Sequence, residues 1–139
     1  MADAELLRLE IATPVGLALQ TECESIAAPS VEGEFGVYPG HLPLLAALRS
    51  GVVKYEVEGR SLLAAVGPGF VEAGPEKVLL LTNSFALPEQ VDVDSVRAEL
   101  QEAEERLDGL DPDAPRSDME EVQRDIEWAH ARLAIAAHD

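Results

Sequence analysis

Two carboxylates and a histidine lie within ten residues of one another, at Glu32, Glu34 and His41. This grouping is the closest the sequence comes to acid–base machinery, because an imidazole beside a carboxylate exchanges protons near neutral pH. Turnover needs more than a base. No nucleophile, metal-ligand set or oxyanion device accompanies the three, so His41 reads as a structural or interfacial side chain and catalysis is not expected. For Glu32 and Glu34 the readings are a charged contact surface or a solvated turn, with metal ligation a distant third. Cys23 sits between Glu22 and Glu24. Neighbouring negative charge raises a thiol pKa, which argues against a reactive cysteine. Gly67-Pro68-Gly69 has the residue types of a phosphate loop, but no G-x-x-x-x-G-K-[ST] occurs anywhere, so it reads as a turn.

Composition removes whole classes of function. The chain has 139 residues and 27 acids against 10 basic side chains, a formal charge of −17. A nucleic-acid backbone or a bare anionic membrane would be repelled. Aromatics make up only 4% of the chain, too few for a base-stacking surface. One cysteine allows no internal disulfide and fits a reducing compartment. The opening MADAELLRLE has early acids and no apolar run, so no signal peptide is expected. No apolar stretch approaches the roughly 20 residues of a membrane helix, so membrane association is expected only through another protein.

The elements that would hold these residues fall into two regions. Between residues 5 and 87, short apolar runs alternate with turn signals such as Thr13-Pro14, Pro39-Gly40, Glu58-Gly59 and Gly74-Pro75. Nine runs at this spacing predict an antiparallel sandwich or barrel. The run Val52–Glu58 shows the period plainly: Val53, Tyr55 and Val57 share one face, and Lys54, Glu56 and Glu58 the other.

After Pro88 the period changes. Val93, Val96, Leu100, Ala103, Leu107 and Leu110 form one narrow helical stripe, and Met119, Val122, Ile126, Ala129, Leu133 and Ala136 a second. Asp92 or Asp94 is the expected N-cap of the first helix, and Ser117 with Glu120 forms an expected capping box for the second. The DGLDPDAPR linker between them, with Pro112 and Pro115, predicts an antiparallel hairpin. The expected division is a β-sandwich over residues 1–88 and a helical hairpin over 89–139. Helices this short are marginal alone in water, and a thin seam rich in alanine adds little. The hairpin is therefore expected to be weakly held. It also carries the denser charge, with fifteen acids and five arginines over residues 91–139.

The segment Glu32-Gly33-Glu34-Phe35-Gly36-Val37-Tyr38-Pro39-Gly40-His41-Leu42-Pro43-Leu44-Leu45 resembles the most recognisable motif of the epsilon subunits of bacterial ATP synthase. Leu9–Pro14, Ala28-Pro29, Gly51-Val52-Val53, Gly69–Glu72, Lys77-Val78 and the Asp94, Arg97, Ala98 helix start add to the resemblance. It implies a ten-stranded β-sandwich followed by a two-helix hairpin, in a non-catalytic subunit of the rotor. It implies binding to the gamma subunit and to the ring of c subunits, with Glu32, Glu34, Tyr38 and His41 at or near that edge. The complex would lie at the cytoplasmic face of the membrane, this subunit being peripheral. It implies a hairpin that folds down on the sandwich or extends toward the alpha/beta catalytic head and slows ATP hydrolysis. Some family members bind ATP in the hairpin, which would make Asp94, Arg97, Ala98 and Arg132 nucleotide ligands here. Two features oppose that: Glu104 stands seven residues after Arg97, where an arginine would help hold a triphosphate, and the whole tail is acidic. The alternative for Arg97 is an ion pair with neighbouring acids, Asp94 lying at i−3. No cofactor or metal is implied otherwise.

Overall fold

Alternation in the sequence becomes ten strands in the computed structural model, which describes residues 5–137. The first four residues of the stretch expected not to be a signal peptide lie outside that range. The strands are β1 (Leu7–Thr13), β2 (Gly16–Cys23), β3 (Ser25–Ser30), β4 (Gly33–Val37), β5 (Leu44–Leu48), β6 (Gly51–Val57), β7 (Arg60–Val66), β8 (Gly69–Ala73), β9 (Lys77–Thr82) and β10 (Phe85–Ala86). Hydrogen bonding follows the path β10-β7-β6-β3-β5-β8-β9-β1-β2, with β4 paired to β3 off the path. All pairings are antiparallel except β1 with β9.

One pairing, Ser30 with Leu48, joins β3 to β5. There the path folds over into two layers: β10, β7, β6, β3 and β4 in one, and β5, β8, β9, β1 and β2 in the other. Side chains alternate in and out of each layer. Leu7, Leu9, Ile11, Val53, Tyr55, Val71, Val78 and Leu80 fill the space between them and are nearly all inaccessible to water. The core is largely aliphatic, as the low aromatic content requires. The tenth strand has only two residues and shows no period of its own.

Gly69 fixes how closely β8 and β9 approach. An added Cβ there would lie 1.8 Å from the Leu81 carbonyl oxygen, a distance no side chain tolerates. At the β3–β4 turn Gly33 has φ of 119°, a conformation open mainly to glycine.

A 3-10 turn at Pro88–Gln90 leads to α1 (Val93–Asp108) and α2 (Arg116–Ala136). Asp92 caps α1, its Oδ1 accepting from the Ser95 amide at 3.3 Å. The expected Ser117 capping box does not form. Helix α2 begins at Arg116, its cap position at Pro115 lying two residues before Ser117, and the Asp118 amide donates to the Pro115 carbonyl. Ser117 is thus already inside the first turn, and Glu120 pairs with Arg116 at 3.2 Å instead.

The two helices meet along Val96, Ala103, Val122 and Ala129. Helix α2 also has a second apolar face. Ala131 and Ile135 pack on Ala65 and Ala86 of the first layer, with Val52, Leu63, Val91 and Trp128 around them. Helix α2 therefore lies between α1 and the sandwich, while α1 is an outer layer. The single stripe expected for α2 is too narrow, because the helix has two neighbours to satisfy.

Candidate interaction surfaces

The four edge residues are divided by β4. Glu32 sits in the two-residue turn between β3 and β4, and Glu34 opposite Pro29 on the first turn-side rungs. Tyr38 and His41 follow the other end of β4, four and more residues on, which at about 3.3 Å per residue is roughly 13 Å from Glu34. Glu32, Glu34 and Tyr38 are exposed, and His41 is half-buried.

Tyr38 and His41 belong to a loop tied down by backbone. The His41 amide donates to the Tyr38 carbonyl at 3.1 Å, and the Gly40 amide to the Pro75 carbonyl at 2.8 Å. The His41 Nδ1 lies within hydrogen-bonding reach of the Leu42 carbonyl. Leu42 itself projects into solvent. This end of the sandwich thus presents Tyr38, His41 and Leu42 on a fixed loop beside Pro75 and Glu76, away from the hairpin.

Glu32 lies at the opposite end. The Ser30 hydroxyl organises its turn, accepting from the Glu32 amide at 3.1 Å and donating to the Gly33 carbonyl at 2.7 Å. The neighbouring Val31 amide donates to the Ala47 carbonyl at 3.1 Å, which seats the turn against β5.

The same end carries a surface that reading for polar chemistry misses. On the outer face of the second layer, strand register aligns Leu17, Ala12, Leu81, Phe70 and Ala47 in one row across β2, β1, β9, β8 and β5. Leu17, Phe70 and Leu81 are 55%, 58% and 48% exposed, so the row is a contiguous apolar patch rather than scattered exposure. The next row carries Glu10 and Glu72. The signal was present in the sequence: Val78-Leu79-Leu80-Leu81 is apolar on both faces, more than a one-sided core needs.

The hairpin residues singled out for nucleotide do not converge. A cleft of about 310 Å³ between α1 and α2 is lined by Glu99, Glu102, Arg106, Asp125, Trp128 and Arg132. Arg132 is there, but Asp94, Arg97 and Ala98 are not. Arg132 Nη2 pairs with Glu99 Oε2 at 2.6 Å, its Nε donates to the Trp128 carbonyl, and its guanidinium lies 5.1 Å from the indole centroid. Arg106 pairs with Asp125 at 2.7 Å, and that hydrogen bond raises the Arg106 pKa above its ordinary value. Among the described residues Arg97 makes no ion pair, so the pairing expected with Asp94 is not formed.

Cys23 is fully buried, and its thiol is pushed up to about 11, by burial first and by Glu24 second. The raised thiol pKa expected from its acidic neighbours is present, with burial the larger cause. Among the described residues no cluster of potential metal ligands occurs, and no helix is long and apolar enough to cross a membrane.

Residues 6–88 match the family described as "ATP synthase, Delta/Epsilon chain, beta-sandwich domain". The ATP synthase epsilon chain of Nitratidesulfovibrio vulgaris (strain DP4) is 36% identical over 129 residues, covering 93% of this chain and 94% of that one. The epsilon chain of Moorella thermoacetica is 37% identical over 131 residues, covering 94% and 96%. Among solved structures, a chain of the Euglena gracilis mitochondrial ATP synthase, described as OSCP/F1/c-ring in rotational state 1, superposes with a TM-score of 0.78. It is 21% identical and is covered to 84%, against 99% of this chain, a likeness of fold.

Proposed function

This chain belongs to the epsilon-chain family of ATP synthase, an accessory subunit without an active site of its own, and on that premise we propose that it couples the gamma subunit to the c-ring within the rotor. The observation that carries the proposal is the exposed row Leu17, Ala12, Leu81, Phe70 and Ala47. A subunit that transmits torque needs a face buried permanently in a partner, and an apolar row held by five hydrogen-bonded strands is rigid enough to serve. The row spans about 19 Å at the usual strand spacing, long enough to seat a partner segment of roughly a dozen helical residues. Glu72 lies in the next row and the Glu32 turn is seated against β5, while Glu10 is already paired with Lys77 at 2.8 Å. The matching segment of gamma therefore has an apolar stripe with basic groups beside Glu72 and Glu32.

The fixed loop with Tyr38, His41 and Leu42 at the far end is the proposed contact with the c-ring. The subunit then sits peripherally at the cytoplasmic side of the membrane. The two ends divide the work: Glu32 and Glu34 face gamma, Tyr38 and His41 face the ring.

The sandwich of residues 1–88 and the hairpin of 89–139 act as separate units. The packing of Ala131 and Ile135 on Ala65 and Ala86 supports a hairpin at rest on the sandwich. Release toward the alpha/beta catalytic head would slow ATP hydrolysis. With fifteen acids against five arginines over residues 91–139, that inhibition is weak. The alternative, an ATP-sensing hairpin, has less support: Arg132 is paired with Glu99, and a triphosphate entering the cleft would meet Glu99, Glu102 and Asp125.

The test is a pull-down of purified gamma subunit and c-ring with wild-type chain, Leu81→Glu, and Glu34→Lys. Leu81→Glu is expected to lose gamma. Undiminished gamma capture by Leu81→Glu would remove the proposed interface.

A further inference from the structure

We infer that Trp128 of the docked hairpin forms part of the gamma-docking surface, so that one partner grips the sandwich and the hairpin together. The inference rests on the proposed gamma contact and extends it to a residue outside the sandwich.

Two clefts carry it. One lies over the apolar row and is lined by Ala12, Thr13, Pro14, Phe70, Leu81 and Asn83 among others. The second, of about 520 Å³, runs from the β1–β2 turn at Pro14 and Val15, past Asn83 and Phe85, to Trp128. They share Thr13, Pro14 and Asn83, so they adjoin around the end of the sandwich, and one partner segment crossing those residues reaches both. Val15, which lines the second cleft beside Pro14, stands 97% exposed, an apolar side chain with no neighbour of its own to cover it.

The clefts' chemistry selects the same occupant as the row. In a chain of charge −17, no charged side chain lines either cleft. Their walls are apolar or carry neutral Thr, Ser and Asn groups. A partner stripe that covers Leu81 and Phe70 and continues past Pro14 and Val15 reaches the indole without burying a carboxylate. Continuity with the proposed interface, and the absence of charge along the whole path, favour gamma over an unrelated ligand or a second acidic copy of this chain.

Trp128 is held to serve two surfaces. It borders the Ala65, Ala86, Ala131 and Ile135 packing that docks α2, and Arg132 lies over its ring. It lines the second cleft only while α2 is down. Gamma then binds the docked form more tightly than the released form, and by linkage gamma holds the hairpin down by the same factor. A buried aromatic at such a junction contributes on the order of tenfold in affinity.

Trp128 is the chain's single tryptophan, which gives a clean probe. Full-length chain labelled with 5-fluorotryptophan is titrated with unlabelled gamma and followed by fluorine NMR. In parallel, gamma affinity is measured for wild type, Leu81→Glu and Trp128→Ala. The expected result is a shifted fluorine resonance on gamma binding, with Trp128→Ala about tenfold weaker. If Leu81→Glu weakens binding but the resonance does not move, the Trp128 inference is overturned and the sheet-face contact stands. If Leu81→Glu binds as wild type does, the sheet-face reading fails, and the inference with it.

Discussion

Arg132 Nη2 lies 2.6 Å from Glu99 Oε2, so the α2 arginine lining the inter-helix cleft is already neutralised by a carboxylate of α1. The pair bridges the two helices and, with Arg106 on Asp125, leaves neither arginine of the cleft unpaired for a triphosphate. Calorimetric titration with Mg-ATP is therefore expected to give no saturable heat at millimolar concentrations. Saturable heat that disappears in Arg132→Ala would restore the nucleotide-sensing reading.

Ile135→Ala should release the hairpin without melting the sandwich. Ile135 is fully buried in the small cluster that docks α2, whereas the main core draws only on residues of the sandwich and Leu87. Truncating a buried isoleucine costs about 2–5 kcal/mol, a large share of what a patch centred on four buried residues, three of them alanines, supplies. Hydrogen exchange of α2 amides should accelerate while the thermal midpoint of the sandwich stays put. A uniform loss of protection across both units would show that they unfold as one.

Gly69→Ala is expected to destabilise the sandwich by about 3 kcal/mol or more, because the new methyl would meet the Leu81 carbonyl oxygen and β8 and β9 would have to part. A thermal melt within a degree or two of wild type would contradict the strand spacing.

Alkaline pH gives a prediction whose sign follows from Cys23. Its pKa rises from the ordinary 9.0 to about 11 on folding, so the folded state favours the neutral thiol. That contribution is fully present below the unfolded pKa and is lost as pH climbs toward the folded one. Denaturant-derived stability should fall by about 2–3 kcal/mol between about pH 8 and about pH 11. Burial also raises the Tyr55 pKa, so its phenol adds a loss of the same sign. Cys23→Ala should reduce the slope without abolishing it. An unchanged slope in that variant would locate the whole effect in Tyr55.

Much of the fold was legible because strand and helix periods are local. Val53, Tyr55 and Val57 declared their shared face in the sequence, and the two hairpin stripes their helices. What was missed depends on neighbours that local reading does not contain. Trp128, Ala131 and Ile135 recur at three and four, a readable second stripe on α2, but its meaning appears only when the sandwich lies beneath it. Phe85-Ala86 is too short to show a period. Ser117 has the type and spacing of a cap, yet Pro115 starts the helix before it. The surface residues divide the same way: Glu32 and His41 are nine apart in a motif that reads as one loop, and β4 carries them to opposite ends. The apolar row could not be seen from any one strand, since it exists only in the register of five.

Coupling itself provides the most direct test of the rotor assignment. Inverted membrane vesicles carrying the synthase without this subunit are resupplied with wild-type chain or with the double variant Phe70→Glu, Leu81→Glu, and ATP-driven proton pumping is recorded. Wild type should restore pumping, and the double variant, folded by circular dichroism, should not. Full restoration by the double variant would contradict a rotor contact through the outer face of β8 and β9.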